Sequence, residues 1–182
     1  MKNSIVIAAI FSLALISVAC ESNSGTNAKP STVVIVDQTL STKQLRSDDS
    51  VERFLKAIVS RPELNVQLYG MMPDRIYPSS VDNLLSKSYG LDESGKFTGG
   101  DLQRIISDFD NSPSDCVVIV TDAENNYGNT ANGIPSFTNP DKFWLVGVRP
   151  DLWQEYTDAG VHAYTVDQVN ELVIRIVSTG AL

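Results

Sequence analysis

Thr32-Val-Val-Ile-Val-Asp37-Gln-Thr39-Leu-Ser41 is the stretch on which the reading of this chain turns. Val33, Val34, Ile35 and Val36 are all β-branched, and the run stops at Asp37. A short, wholly apolar run of this kind predicts a strand covered on both faces, as in the middle of a parallel sheet. Beyond it, a carboxylate and two hydroxyls follow at alternate positions: Asp37, Thr39 and Ser41. Oxygen donors so spaced, on a loop leaving a central strand, suit a hard cation such as Mg²⁺ or Mn²⁺. The plainer alternative is that Asp37 caps a following helix.

A second stretch has the same plan. Cys116-Val-Val-Ile-Val-Thr121 is again β-branched and again runs into an acid, Asp122. If the two strands are parallel neighbours, Asp37 and Asp122 meet at the carboxyl edge of the sheet, where open α/β folds bind ligands. The D-x-T-x-S pattern at 37–41 and VVIVTDA at 117–123 resemble the metal-ion-dependent adhesion site of a von Willebrand factor A domain. That resemblance spans about residues 32 to 180. It implies one divalent cation, Mg²⁺ or Mn²⁺, held by Asp37, Thr39, Ser41 and Asp122. In the family a further threonine comes from a middle loop, commonly GGTDL, where this chain has Thr98-Gly-Gly-Asp101-Leu102. Thr98 or Asp101 fills that place, or a water does, with Asp101 then serving as a helix cap. Two further departures are Thr39 in a serine position and Ala123 in a glycine position, the latter at a cost in backbone freedom.

Outward from these strands the pattern alternates. Val51, Phe54, Leu55 and Ile58 make a helical stripe; Asp49 and Glu52 suggest a capping box, and Pro62 a stop. Residues 65–71 read as a second strand with Val66 and Leu68 turned inward. Arg75-Ile-Tyr77 reads equally as an antiparallel edge strand, which the family has here, or as a loop. A short helix fits 82–88, and Leu102, Ile105, Ile106 and Phe109 carry another helical stripe. Residues 123–141 show no helical periodicity, although the family places a helix there, and such a loop suits binding. Strands are expected over 142–148 and 161–166, with a short helix between them from Pro150 to Gly160. A last helix follows, capped by Asp167, with Val169, Leu172, Val173 and Ile176 as its stripe. The fold class is therefore α/β: a doubly wound, mostly parallel central sheet with helices on both faces, in a single domain over 32–182.

Ahead of that domain, Lys2 and the apolar stretch Ile5–Ile16 read as a signal peptide over 1–19. Ser17-Val-Ala-Cys20 admits ordinary signal-peptidase cleavage after Ala19. It also resembles a bacterial lipobox, the reading preferred here, in which Cys20 is lipidated and becomes the mature N-terminus. Residues 20–31 then form the anchor and a flexible Ser/Asn/Gly-rich tether. The expected location is the cell envelope, lipid-anchored and facing the periplasm or on the outer membrane, or soluble there if Cys20 is unmodified. Cys116, the second of the two cysteines, reads as a buried small hydrophobe. Formal net charge is −8, and loss of the leader removes Lys2 and no acid. No basic stripe exists to neutralise phosphates, which argues against nucleic acid.

Domains of the resembled family are mostly binding modules. The resemblance therefore implies a non-enzymatic, membrane-anchored module that engages a protein partner through a carboxylate completing the cation's shell. Tyr127 and Phe137, in the long loop, are candidate aromatic contacts for that partner. Two alternatives stand beside this. One is a metal-independent structural or interaction domain of the same fold. The other is a hydrolase, since a strand followed by D-x-T superficially resembles haloacid-dehalogenase-type phosphatases. Those carry a second acid where this chain has Thr39, and the single histidine, His162, lies apart from both acids in sequence.

Overall fold

In the computed structural model, the described residues are 31–39, 41–72, 75–86, 102–124, 134–180 and 182. Six strands form one sheet: β1 (Thr32–Asp37), β2 (Gln67–Met72), β3 (Arg75–Pro78), β4 (Cys116–Val120), β5 (Phe143–Val146) and β6 (His162–Tyr164). Their order across the sheet is β3-β2-β1-β4-β5-β6. All neighbouring pairs are parallel except β2 and β3. The doubly wound α/β expectation is met, and the undecided segment after β2 is an antiparallel edge strand ending at Pro78.

The helices are α1 (Lys43–Arg46), α2 (Asp49–Val59), α3 (Val81–Ser86), α4 (Leu102–Asp110), α5 (Trp153–Asp158) and α6 (Val169–Thr179). Because successive strand residues point to opposite faces, β1 feeds two cores. Val34 and Val36 pack with Phe54, Leu55 and Ile58 of α2 and with Leu172 and Ile176 of α6. Val33 and Ile35 pack with Leu102, Ile105 and Ile106 of α4 and with Tyr156 of α5. Every residue of β1 and β4 is buried, which explains their unbroken β-branched runs. Cys116 is fully buried at the start of β4.

Several boundaries differ from the sequence reading. The cap of α2 is Asp48, whose carboxylate accepts the Ser50 backbone N–H at 2.8 Å. Asp49 is the first helical residue, and Glu52 instead pairs with Lys56 one turn on. Either acid satisfies the capping pattern, and only the backbone angle at Asp48 decides between them. Likewise Asp167 does not cap the final helix. Thr165 and Gln168 form a reciprocal capping box around a 3₁₀ turn at Val166–Gln168, from which α6 continues. Pro150 and Asp151 lie in a turn that precedes α5. Residues 134–139 form no regular element, and a 3₁₀ turn occupies Pro140–Lys142. Among the described residues no helix is long and apolar enough to cross a membrane. The proposed leader, Cys20 and the tether up to residue 30 lie outside the described residues.

Candidate metal centre

β1 and β4 are direct parallel neighbours, with Val36 level with Val120. Chain winding reverses between them, since β2 and β3 lie to one side and β5 and β6 to the other. In an open α/β sheet that reversal leaves a crevice at the carboxyl edge. Asp37 and Asp122 both stand there, close enough that the charge of Asp122 acts on Asp37.

The loop leaving β1 folds back on Asp37. Its Oδ1 accepts the Thr39 backbone N–H at 2.8 Å, and its Oδ2 accepts the Thr121 hydroxyl at 3.0 Å. The Thr39 and Ser41 hydroxyl oxygens are 3.2 Å apart. Ser41 in turn hydrogen-bonds the Asp122 carboxylate. Asp122 also accepts the Glu124 backbone N–H at 3.2 Å through Oδ1. Two carboxylates and three hydroxyls are thus linked in one constellation: Asp37, Thr39, Ser41, Asp122 and Thr121.

Two groups support this loop from behind. The buried Thr42 hydroxyl donates to the carbonyl oxygens of Asp37 at 2.8 Å and Thr39 at 2.9 Å. Arg46 is 3 % exposed, and its guanidinium reaches the Thr39 carbonyl at 3.3 Å and the Leu84 carbonyl at 3.4 Å. Gln38 is anchored to the same Leu84 carbonyl at 3.0 Å. On the β4 side Ala123 is held at φ +62°, in the left-handed region. A β-carbon makes that conformation costly, by about 1–2 kcal/mol. It is maintained by bonds from the Ala123 N–H to the Thr121 hydroxyl at 3.1 Å and from the Tyr156 hydroxyl to the Ala123 carbonyl at 3.1 Å.

Burial dominates the electrostatics. Removal from water pushes the Asp37 carboxyl up to about 6, despite the Thr39 and Thr121 hydrogen bonds, and the charge of Asp122 adds to the rise. Asp122 is raised as well, mainly by burial, with the Ser41 bond opposing. Burial lowers Arg46, and the nearby Asp37 charge works against that fall. The site therefore carries two carboxylates that resist ionisation, with one buried guanidinium behind them.

This donor set fits a hard divalent ion. Adjacent oxygens around Mg²⁺ at 2.0–2.1 Å are separated by about 2.9–3.0 Å, close to the observed hydroxyl spacing. A cation would also favour the ionised form of both acids, offsetting their desolvation. No cluster of three or more metal-ligating carboxylate, imidazole or thiolate side chains occurs among the described residues. Here the extra donors would be hydroxyls and water.

Of the residues singled out from the sequence, Asp37, Thr39, Ser41 and Asp122 come together. Thr98, Asp101 and Tyr127 lie outside the described residues. Phe137 is half-buried, and its ring meets Phe143 and Tyr156 edge-on at 5.3 and 6.3 Å. Most of that ring is thus committed to the domain's own core. His162 stacks on Trp144 at 4.3 Å in β6, away from both acids in the sheet order. Sequence reasoning missed Thr121, Thr42 and Arg46. Thr121 had a legible signal, a hydroxyl abutting the strand-end acid. Arg46, within KQLR, looks like any exposed helical cation.

Beside the acids lies a cleft of about 540 Å³ that includes Ser41, Leu45, Asp122, Gly147, Val148 and Val166 among its walls. In comparisons with known proteins, no family model matches the chain and no curated protein matches it.

Proposed function

We propose that this chain is a binding module of the von Willebrand factor A type, which engages a protein partner through a divalent cation at the carboxyl edge of β1 and β4. The observation that carries the reading is the convergence of Asp37 and Asp122 with the Thr39 and Ser41 hydroxyls at the winding reversal of the sheet. The strand order and the single antiparallel edge strand accord with the same resemblance.

Asp37, Thr39, Ser41 and Asp122 supply oxygens, directly or through water, and Thr121 keeps the Asp37 carboxylate turned toward the site. Thr42 and Arg46 hold the Thr39 carbonyl, which orients the two hydroxyls. The bound Mg²⁺ or Mn²⁺ supplies a strong local positive charge that draws a carboxylate of the partner to an otherwise acidic surface. Cys20, lipidated, and the tether to residue 31 keep the domain at the envelope membrane.

Calorimetric titration with Mn²⁺ and Mg²⁺ tests this reading. The parent protein should bind one equivalent and Asp37→Ala none, with capture of envelope proteins by the parent lost in EDTA. Equal titration curves for parent and Asp37→Ala would exclude the site. Capture that persists in EDTA, with no cation bound, would favour a metal-independent interaction domain. Hydrolysis of generic phosphate esters that is lost in Asp37→Ala would point to catalysis instead.

A further inference from the structure

Gln38 stands in the chain between the Asp37 carboxylate and the Thr39 hydroxyl, and it is wholly buried. A buried amide needs a partner at each end, because neither end can turn to water. Its Nε2 donates to the Leu84 carbonyl at 3.0 Å. That carbonyl can only accept, so the amide oxygen faces the other way, where the Tyr77 hydroxyl donates to it. The Gln38 backbone N–H goes to the Met71 carbonyl at 3.1 Å, which carries the contact of β1 with β2 past Asp37.

Tyr77 reaches Gln38 from two strands away. It belongs to β3, and β2 lies between. Its partner across the β2–β3 ladder is Gly70. A β-carbon at Gly70 would lie 2.6 Å from the Tyr77 Cζ and hydroxyl oxygen and 2.9 Å from Leu84 Cδ2. Glycine thus leaves the gap over which the phenol crosses β2 to β1. The Leu84 carbonyl closes the network, since it also takes the Arg46 guanidinium at 3.4 Å, and Arg46 reaches the Thr39 carbonyl at 3.3 Å. Freeing Gln38 would release the backbone between Asp37 and Thr39, and with it the spacing of the site's oxygens.

We propose that Tyr77, acting through Gln38, is a positioning residue for the cation: it fixes the backbone that joins the Asp37 carboxylate to the Thr39 and Ser41 hydroxyls; this rests on the cation reading above. Neither Tyr77 nor Gln38 is a ligand. Mg²⁺ demands near-ideal octahedral geometry, so a loosened loop holds it less tightly.

Tyr77→Phe tests this, because it keeps the ring over Gly70 and removes only the hydroxyl. Calorimetric titration should give a Mn²⁺ affinity about 10-fold below that of the parent. Ile105→Val trims the core on the other face of the sheet and controls for general destabilisation; its Mn²⁺ affinity should equal the parent's. A second readout needs no metal. In EDTA the Thr39 amide, bonded to Asp37 Oδ1, should exchange with deuterium about 10-fold faster in Tyr77→Phe, relative to the amides of β4. In Ile105→Val that ratio should stay as in the parent. An unchanged Mn²⁺ affinity in Tyr77→Phe, or an equal loss in Ile105→Val, overturns the proposal and leaves the cation reading standing. If the parent binds no Mn²⁺, the cation reading fails on its own. Faster Thr39 exchange confined to Tyr77→Phe then still assigns Tyr77 the ordering of this loop, and unchanged exchange ends both.

Discussion

At the scale of single residues, the site's behaviour is set by a carboxylate that burial pushes toward protonation. An unfolded aspartate titrates near 3.8, whereas folded Asp37 titrates at about 6. Between those values the folded chain holds a proton that the unfolded chain has released. Raising pH through this window therefore weakens the fold in EDTA, by an amount that grows to on the order of 3 kcal/mol. Asp37→Asn removes the penalty while keeping an acceptor for the Thr39 N–H. In urea titrations in EDTA at pH 8, the variant should be the more stable by about 2 kcal/mol, with the gap closing by pH 4. In Mn²⁺ the order reverses, because only the parent gains stability from the ion. Protons and cation compete for the same carboxylate, so Mn²⁺ affinity should fall as pH drops below about 6. Equal stability of parent and variant at pH 8 would show that Asp37 is not held against its ionisation.

At the scale of elements, the site depends on how strands end. Gly147, just past β5, has φ +97°, and a β-carbon there would lie 2.5 Å from Leu45 Cδ1. The glycine thus lets the end of β5 approach Leu45 of α1. Gly147→Ala should cost about 1–3 kcal/mol through backbone strain and overpacking. Thermal melts should register that loss, while Mn²⁺ affinity changes little, since Leu45 donates nothing to the ion. The strands themselves were legible from the start. Four β-branched residues in a row, twice, leave no amphipathic alternative, and each run sits in the interior of the sheet. Caps were less legible. Asp48 and Asp49 are adjacent acids, and Thr165 and Asp167 both precede a helical stripe. The choice in each pair follows from a backbone angle that composition does not encode.

For the whole molecule, residues 20–31 precede β1 in the chain, and lipidation of Cys20, as proposed above, would hold the domain at a membrane from that end. The tether joins the start of β1, at the amino edge of the strand, while the candidate metal centre sits at the opposite, carboxyl edge. An anchored domain can therefore point that centre away from the lipid. Cys20→Ala should move the protein from the membrane pellet to the soluble envelope fraction and leave Mn²⁺ binding by the purified domain unchanged. Retention of the variant in the membrane pellet would argue that something other than Cys20 holds it there.

What the amino-acid sequence settled alone was local and periodic: two buried strands, their terminal acids, the helical stripes and the alternation that makes an α/β sandwich. Those features depend on a few neighbouring residues, whose side-chain spacing is visible in the chain. Tertiary structure decided which strand lies beside which, and so brought Asp37 and Asp122, 85 positions apart, to one edge. It also enlisted Thr42 and Arg46, whose roles exist only once the β1 loop folds back and its carbonyls need donors, and Thr121, whose hydroxyl meets the Asp37 carboxylate from the neighbouring strand. A buried guanidinium behind two reluctant carboxylates is a relation between distant segments, and such relations arise from packing.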